Sequence, residues 1–145
     1  MNEQISNQPI NLQGMAPLFQ VFDMPISLKF YRDILGFKIA QSSGRGDDVD
    51  WVLLQLNDME LMLNTAFEKD RRPAAPDIDR LKAHIDTTLY FGCPDVDETY
   101  TILLSKGLTL DKPIKTGYGW KAIYLTDPDG YYLCFHWPLK ESAEN

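Results

Sequence analysis

The stretch PLFQVFDMPISLKFYRDILGF (residues 17–37) decides the fold, because TTLYFGCPDVDETYTILLSKGL (residues 87–108) repeats its grammar. In the first copy, Pro17 to Phe22 is mostly apolar, with a β-branched and two aromatic residues, and reads as a buried strand. Asp23 stands where a helix N-cap stands, and Pro25 suits a first helical turn. Leu28, Tyr31, Ile34 and Leu35 recur at three- and four-residue steps, which predicts a helix from about Pro25 to Leu35 with one apolar stripe. Gly36 follows as the C′ residue. In the second copy, Thr87 to Gly92 is the strand and Asp95 the cap. Val96, Tyr100, Leu103 and Leu104 form the stripe, and Gly107 closes the helix.

Working outward, each copy continues with three short strands. The first has Phe37 to Ala40, then Trp51 to Leu56 and Glu60 to Asn64 joined at Asn57-Asp58, a good tight-turn pair. The second has Leu108 to Leu110, Trp120 to Leu125, the turn Asp127-Pro128-Asp129-Gly130, and Tyr131 to Trp137. Asp23 and Asp95, Gly36 and Gly107, and Trp51 and Trp120 pair at an offset of about 70 residues, the signature of an internal duplication. Phe67 to Lys82 carries charge and prolines and reads as a solvated linker with at most one helical turn. His84 belongs with it. The polar ends, Met1 to Gly14 and Leu139 to Asn145, read as tails.

The chain is therefore one α+β domain over residues 1–145, built from two tandem βαβββ modules. Module one spans about 16–66, the linker 67–83 and module two about 84–138, with tails at 1–15 and 139–145. One module leaves a sheet with a helix on one face only, and the second copy is the natural cover for what remains. Two curved sheets around a concave trough make that trough the expected ligand site.

The formal net charge of −7 disfavours nucleic acid and anionic membrane as partners, since both select a basic face, and suits neutral or cationic ligands. Two cysteines, Cys93 and Cys134, and the lack of a secretory apolar segment fit a reducing cytoplasm. No apolar run reaches the roughly 20 residues that span a bilayer.

The repeated order resembles the vicinal-oxygen-chelate superfamily of glyoxalases, bleomycin-resistance proteins and extradiol dioxygenases. Phe22-Asp23, Ser27, Phe30-Tyr31 and Leu35-Gly36-Phe37 look like its first helix signature. Gly117-Tyr118-Gly119-Trp120 and Asp127-Pro128-Asp129-Gly130-Tyr131 look like that of its last hairpin. The match covers roughly Ala16 to Pro138. In metal-using members a divalent ion grips paired substrate oxygens as a Lewis acid, held by three or four N/O ligands. Carried over residue by residue, those positions hold Ala16, Glu60, Thr88 or Leu89, and Cys134. Only Glu60 is retained, so no metal or cofactor is expected. His136 shares a strand face with Cys134, and a zinc site formed by these two with Glu60 is an alternative.

Strand alternation names what faces the trough instead: Gln20 by step from Ala16, Met62 and Asn64 with Glu60, Thr88 and Tyr90 by the repeat, and Tyr132, Cys134 and His136 on the last strand. Trp120, at a strand start near a sheet edge or dimer seam, is included as a ligand contact, although packing suits that position better. This mixed aromatic, thioether and amide surface fits an organic ligand with a flat part and a donor or cation. The resemblance implies a homodimer that sequesters a small molecule, as the bleomycin-resistance members do, with no catalytic residue assigned. A metal-dependent lyase, isomerase or dioxygenase, and a partner-binding regulatory module, are the alternatives.

Overall fold

The structure is a computed structural model that describes residues 5–140; the outer parts of both expected tails, residues 1–4 and 141–145, lie outside the described residues. Module one runs β1 (Leu18–Val21), α1 (Met24–Leu28) continuing as a π-helical segment (Lys29–Ile34), β2 (Lys38–Ser42), β3 (Trp51–Leu56) and β4 (Met59–Thr65). Then come α2 (Ile78–Ala83) and module two: β5 (Thr88–Gly92), α3 (Val96–Ser105), β6 (Ile114–Lys115), β7 (Trp120–Thr126) and β8 (Tyr132–Pro138). They form two four-stranded mixed sheets of the same order, β1-β4-β3-β2 and β5-β8-β7-β6. In each sheet the first strand lies parallel to the last, so β1 pairs with β4 and β5 with β8.

The caps act as their residue types require. The Asp23 carboxylate accepts from the Ile26 amide, and that of Asp95 from the Glu98 amide at 3.0 Å. Gly36 and Gly107 have φ of +95° and +91°. Asp95→Ala removes a cap from a ten-residue helix and is expected to cost about 1 kcal/mol in a urea melt.

One face of each sheet meets the helices in a single core. Phe19 and Val21 of β1, Val52 and Leu54 of β3, and Leu61 and Leu63 of β4 are buried beneath Met24, Leu28 and Tyr31. Ile123, Leu125 and Leu133 pack into the same cluster with Val96 and Leu103. The first helix does not stay α throughout. The Leu35 amide bonds the Phe30 carbonyl, five residues back, at 3.0 Å. That widened turn accompanies burial of two adjacent aromatics, Phe30 at 6% exposure and Tyr31 at 0%, which an ordinary helix would turn apart by about 100°.

Three expectations need correction. The strand expected at Leu108 to Leu110 is not there; those leucines pack on the core half-buried, and the edge strand is Ile114–Lys115. Leu104 is 43% exposed, because at 100° per residue it lies about 80° round α3 from Val96, whereas Leu103 returns to within about 20°. The linker is more than a solvated connection: it contains α2, capped by Asp77, and two 3-10 turns.

The linker and the last turn together clamp the modules. Asp127 Oδ1 accepts from the amides of Asp129 and Tyr131, and its Oδ2 accepts from the Tyr31 hydroxyl at 2.6 Å. Asp129 Oδ1 accepts from the Phe22 amide at 2.7 Å and Oδ2 from the Ser27 hydroxyl at 3.3 Å. Arg80 of α2 reaches both Asp129 and the Gln20 carbonyl. The Tyr131 ring lies flat between Phe19, at 3.8 Å, and His84, at 3.9 Å. His84 Nδ1 is 2.6 Å from the Asp129 carbonyl oxygen, so this residue is a clamp component rather than a bystander in the linker. The clamp leaves no buried side-chain nitrogen or oxygen without a partner among the described residues.

Candidate functional site

Strand alternation turns one face of each sheet away from the core, and the candidate residues divide between those two faces. On sheet one, Gln20 and Asn64 are register partners on β1 and β4, and the Asn64 amide donates to Gln20 Oε1 at 3.3 Å. Met62 stands beside Leu18 one step along, and Glu60 pairs across β3 with Gln55, whose amide donates to its carboxylate at 3.1 Å. On sheet two, Tyr90, Cys134 and Tyr124 form one cross-strand row, and Thr88, Tyr132 and Thr126 the next.

Sheet two carries a cleft of about 160 Å³. Four candidates line it: Tyr90, Trp120, Cys134 and His136. Thr88 and Tyr132 lie one row away on the same face, outside the lining. Gln20, Glu60, Met62 and Asn64 contribute nothing to it, because every lining residue belongs to module two. The structure thus brings four of the six second-module candidates into one cleft and leaves the four first-module candidates on a different sheet.

Four further residues complete the cleft: Thr116, Tyr118, Ala122 and Tyr124. Alternation from Trp120 along β7 reaches Ala122 and Tyr124, so that signal was present in the sequence. Tyr118 depends on turn geometry. The Thr116 hydroxyl accepts from the Tyr118 and Trp120 amides, and Gly119 takes φ of +82°, which lifts Tyr118 to the hairpin tip at 88% exposure.

The rings are arranged around His136. Trp120 lies 4.5 Å from the imidazole centroid, tilted by 40°, and Tyr90 meets it edge-on at 5.2 Å. Tyr90 is 63% exposed and Tyr124 45%, so their faces are open to a guest. Beneath them Cys134 is buried, and burial pushes its thiol pKa up despite a hydrogen bond with Tyr124. A neutral thiol is a poor nucleophile and a poor metal ligand.

Within one chain, the residues at the superfamily's metal-ligand positions do not meet as a donor set. Ala16 has no donor atom, Glu60 sits on sheet one bonded to Gln55, and Cys134 sits on sheet two as a thiol. Among the described residues no three His, Cys, Asp or Glu side chains come within reach of one ion, so Glu60 does not join Cys134 and His136.

The profile of the Glyoxalase/Bleomycin resistance protein/Dioxygenase superfamily matches residues 15–135, and the chain belongs to that superfamily. Its fold is similar to that of TioX from Micromonospora sp. ML1, with a TM-score of 0.68 at 14% identity over 88% of this chain and 99% of the other. It is also similar to a glyoxalase/bleomycin resistance protein from Streptomyces sp. CB03234, with a TM-score of 0.58 at 21% identity over 84% and 97% of the two chains. A glyoxalase/bleomycin resistance protein/dioxygenase from Nocardioides gives a TM-score of 0.66 at 16% identity over 92% and 89%. No curated protein matches the sequence. Among the described residues no helix is long and apolar enough to cross a membrane.

Proposed function

We propose that this protein binds and sequesters a small, flat, neutral or cationic organic molecule on the aromatic face of sheet two, without a metal ion. The observation that carries the reading is the cleft itself, where Tyr90, Tyr118, Trp120, Tyr124 and His136 surround a space the size of a single ring. Its volume of about 160 Å³ is close to the roughly 150 Å³ cavity that accommodates one benzene. Ring faces attract cations as well as other rings, and a formal charge of −7 adds a favourable long-range field for a cation.

The reading includes a cytoplasmic homodimer. A cleft this small holds only part of a ligand, and the sheet-one face bearing Gln20, Met62 and Asn64 is free to lie over the partner's cleft and enclose the rest. Enclosure would bring Glu60 of one face toward a bound amine.

The test is quenching of tryptophan fluorescence by proflavine, a planar cation, in buffer containing EDTA. Saturable quenching is expected to survive the chelator. Trp120→Ala is expected to weaken binding about tenfold, from the roughly 1–3 kcal/mol that one ring stack contributes. Binding that requires added Zn²⁺ or Mn²⁺, or that is unchanged in Trp120→Ala, would refute the reading.

A further inference from the structure

A second cavity lies against the other face of sheet two, the face that bears Phe91 and Phe135, between the helical ends of the two modules. Its volume is about 290 Å³, nearly twice the roughly 150 Å³ that holds a benzene and just below the about 300 Å³ where ligand pockets begin. The Asp127-to-Gly130 turn ties down the start of the first helix at Ser27 and Tyr31. Ile34 and Leu35, further along the same helix, have no such tie to module two apart from one bond, from Lys106 Nζ to the Ile34 carbonyl at 2.8 Å.

The walls are apolar. Module one supplies Ile34, Leu35, Phe37, Leu56 and Met59. Module two supplies Ile102 and Leu103 from α3, with Phe91 and Phe135 packed edge-to-face at 5.3 Å. The two interior polar groups satisfy each other, since the Cys93 thiol and Thr99 hydroxyl are 3.1 Å apart. The other polar residues of the lining are Asn57 and Lys106, both exposed. Lys106 is the only ionisable side chain of the lining other than the Cys93 thiol, and none of the lining residues is Asp or Glu. It makes no ion pair among the described residues. With one proton of its ammonium on the Ile34 carbonyl, two donors are left over.

We infer that this crevice is a binding site for an unbranched aliphatic carboxylate, its hydrocarbon chain between the modules and its head group on Lys106 and Asn57. Apolar walls without a carboxylate, closed by one uncompensated cation, complement a single-tailed anion. A neutral or cationic aromatic, the class assigned to sheet two, gains nothing from Lys106, so the two sites select different chemistry.

The experiment is calorimetric titration of the full chain with hexanoate, octanoate and decanoate, and with decanol. Affinity is expected to rise about fourfold per methylene until the crevice is full, as burial of about 0.8 kcal/mol per CH₂ requires. Decanol is expected to bind about fivefold more weakly than decanoate, the scale of a partly exposed ion pair. Lys106→Met keeps the stem and removes the charge, and is expected to erase that preference. Ile102→Trp fills the crevice from a position 44% exposed, where a larger side chain is tolerated, and is expected to abolish binding with its melting temperature retained. Affinity independent of chain length, equal binding of acid and alcohol, or decanoate binding lost in Trp120→Ala but kept in Ile102→Trp would overturn the assignment.

Discussion

Gly130→Ala is expected to destabilise the protein by about 4 kcal/mol, lowering Tm by roughly 12–16 °C at the usual 3–4 °C per kcal/mol for a chain of this size. Two causes add. Gly130 has φ of +88°, a left-handed conformation that costs an alanine roughly 1 kcal/mol. A Cβ built there would also stand 2.1 Å from the Leu81 carbonyl oxygen and 2.9 Å from its carbon, atoms of α2 backbone that no rotamer change can move aside. Either the turn or α2 must shift, and both belong to the clamp. Gly107→Ala is the matched control. Its φ is +91°, yet nothing lies within 4 Å of its added Cβ, so the strain acts alone and about 1 kcal/mol is expected. Equal losses in the two variants by thermal and urea melts would mean that α2 does not press on the turn.

Asp127→Asn is expected to remove a pH dependence of stability between about pH 4 and pH 6. Burial raises the Asp127 carboxyl from 3.8 to about 6, although bonds from the Tyr31 hydroxyl and the Tyr131 and Asp129 amides pull the other way. A carboxyl whose folded pKa is raised favours the folded state while protonated. Its contribution is complete below about pH 4 and is lost as pH climbs through about 6. The shift corresponds to on the order of 3 kcal/mol. Asparagine never ionises; its oxygen can accept the two amides and its NH₂ can face the Tyr31 oxygen. The stability difference between variant and parent, measured by urea melts at pH 4, 5, 6 and 7, should therefore move in the variant's favour by about 3 kcal/mol across the series. A constant difference would show that Asp127 does not titrate in this window. Asp33 and Asp47, lowered chiefly by hydrogen bonds from Arg32, slope the opposite way, but they are exposed and screened, and they cancel in the comparison.

The architecture was readable because short-range chemistry punctuates it. Asp23 and Asp95 have their capping bonds within three residues, and the glycines after each helix need only local backbone freedom. β6 escaped because its two residues are placed by the Thr116–Trp120 turn, not by their own apolar pattern, while Leu108 and Leu110 are apolar without being in a strand. His84 escaped for a different reason. Its partner ring, Tyr131, is distant in sequence, and no periodicity links a linker residue to the last hairpin. The candidate cleft was partly legible. Alternation sorted faces correctly within each sheet, putting Tyr90, Cys134 and His136 in one cleft. It carries no information about how one sheet sits against the other, so residues of β1 and β4 were grouped with those of β5 and β8.

The clamp also dictates the order in which the molecule can be finished. The Tyr31 hydroxyl and the Phe22 amide, early in the chain, find their acceptors only on Asp127 and Asp129, about a hundred residues later. Without the last hairpin, those two donors have only water to bond, and the face of Phe19 that stacks on Tyr131 is uncovered. The four strands of sheet one are all in place by Thr65, so what the final turn supplies is the cover and the acceptors that lock the first helix, not the sheet itself.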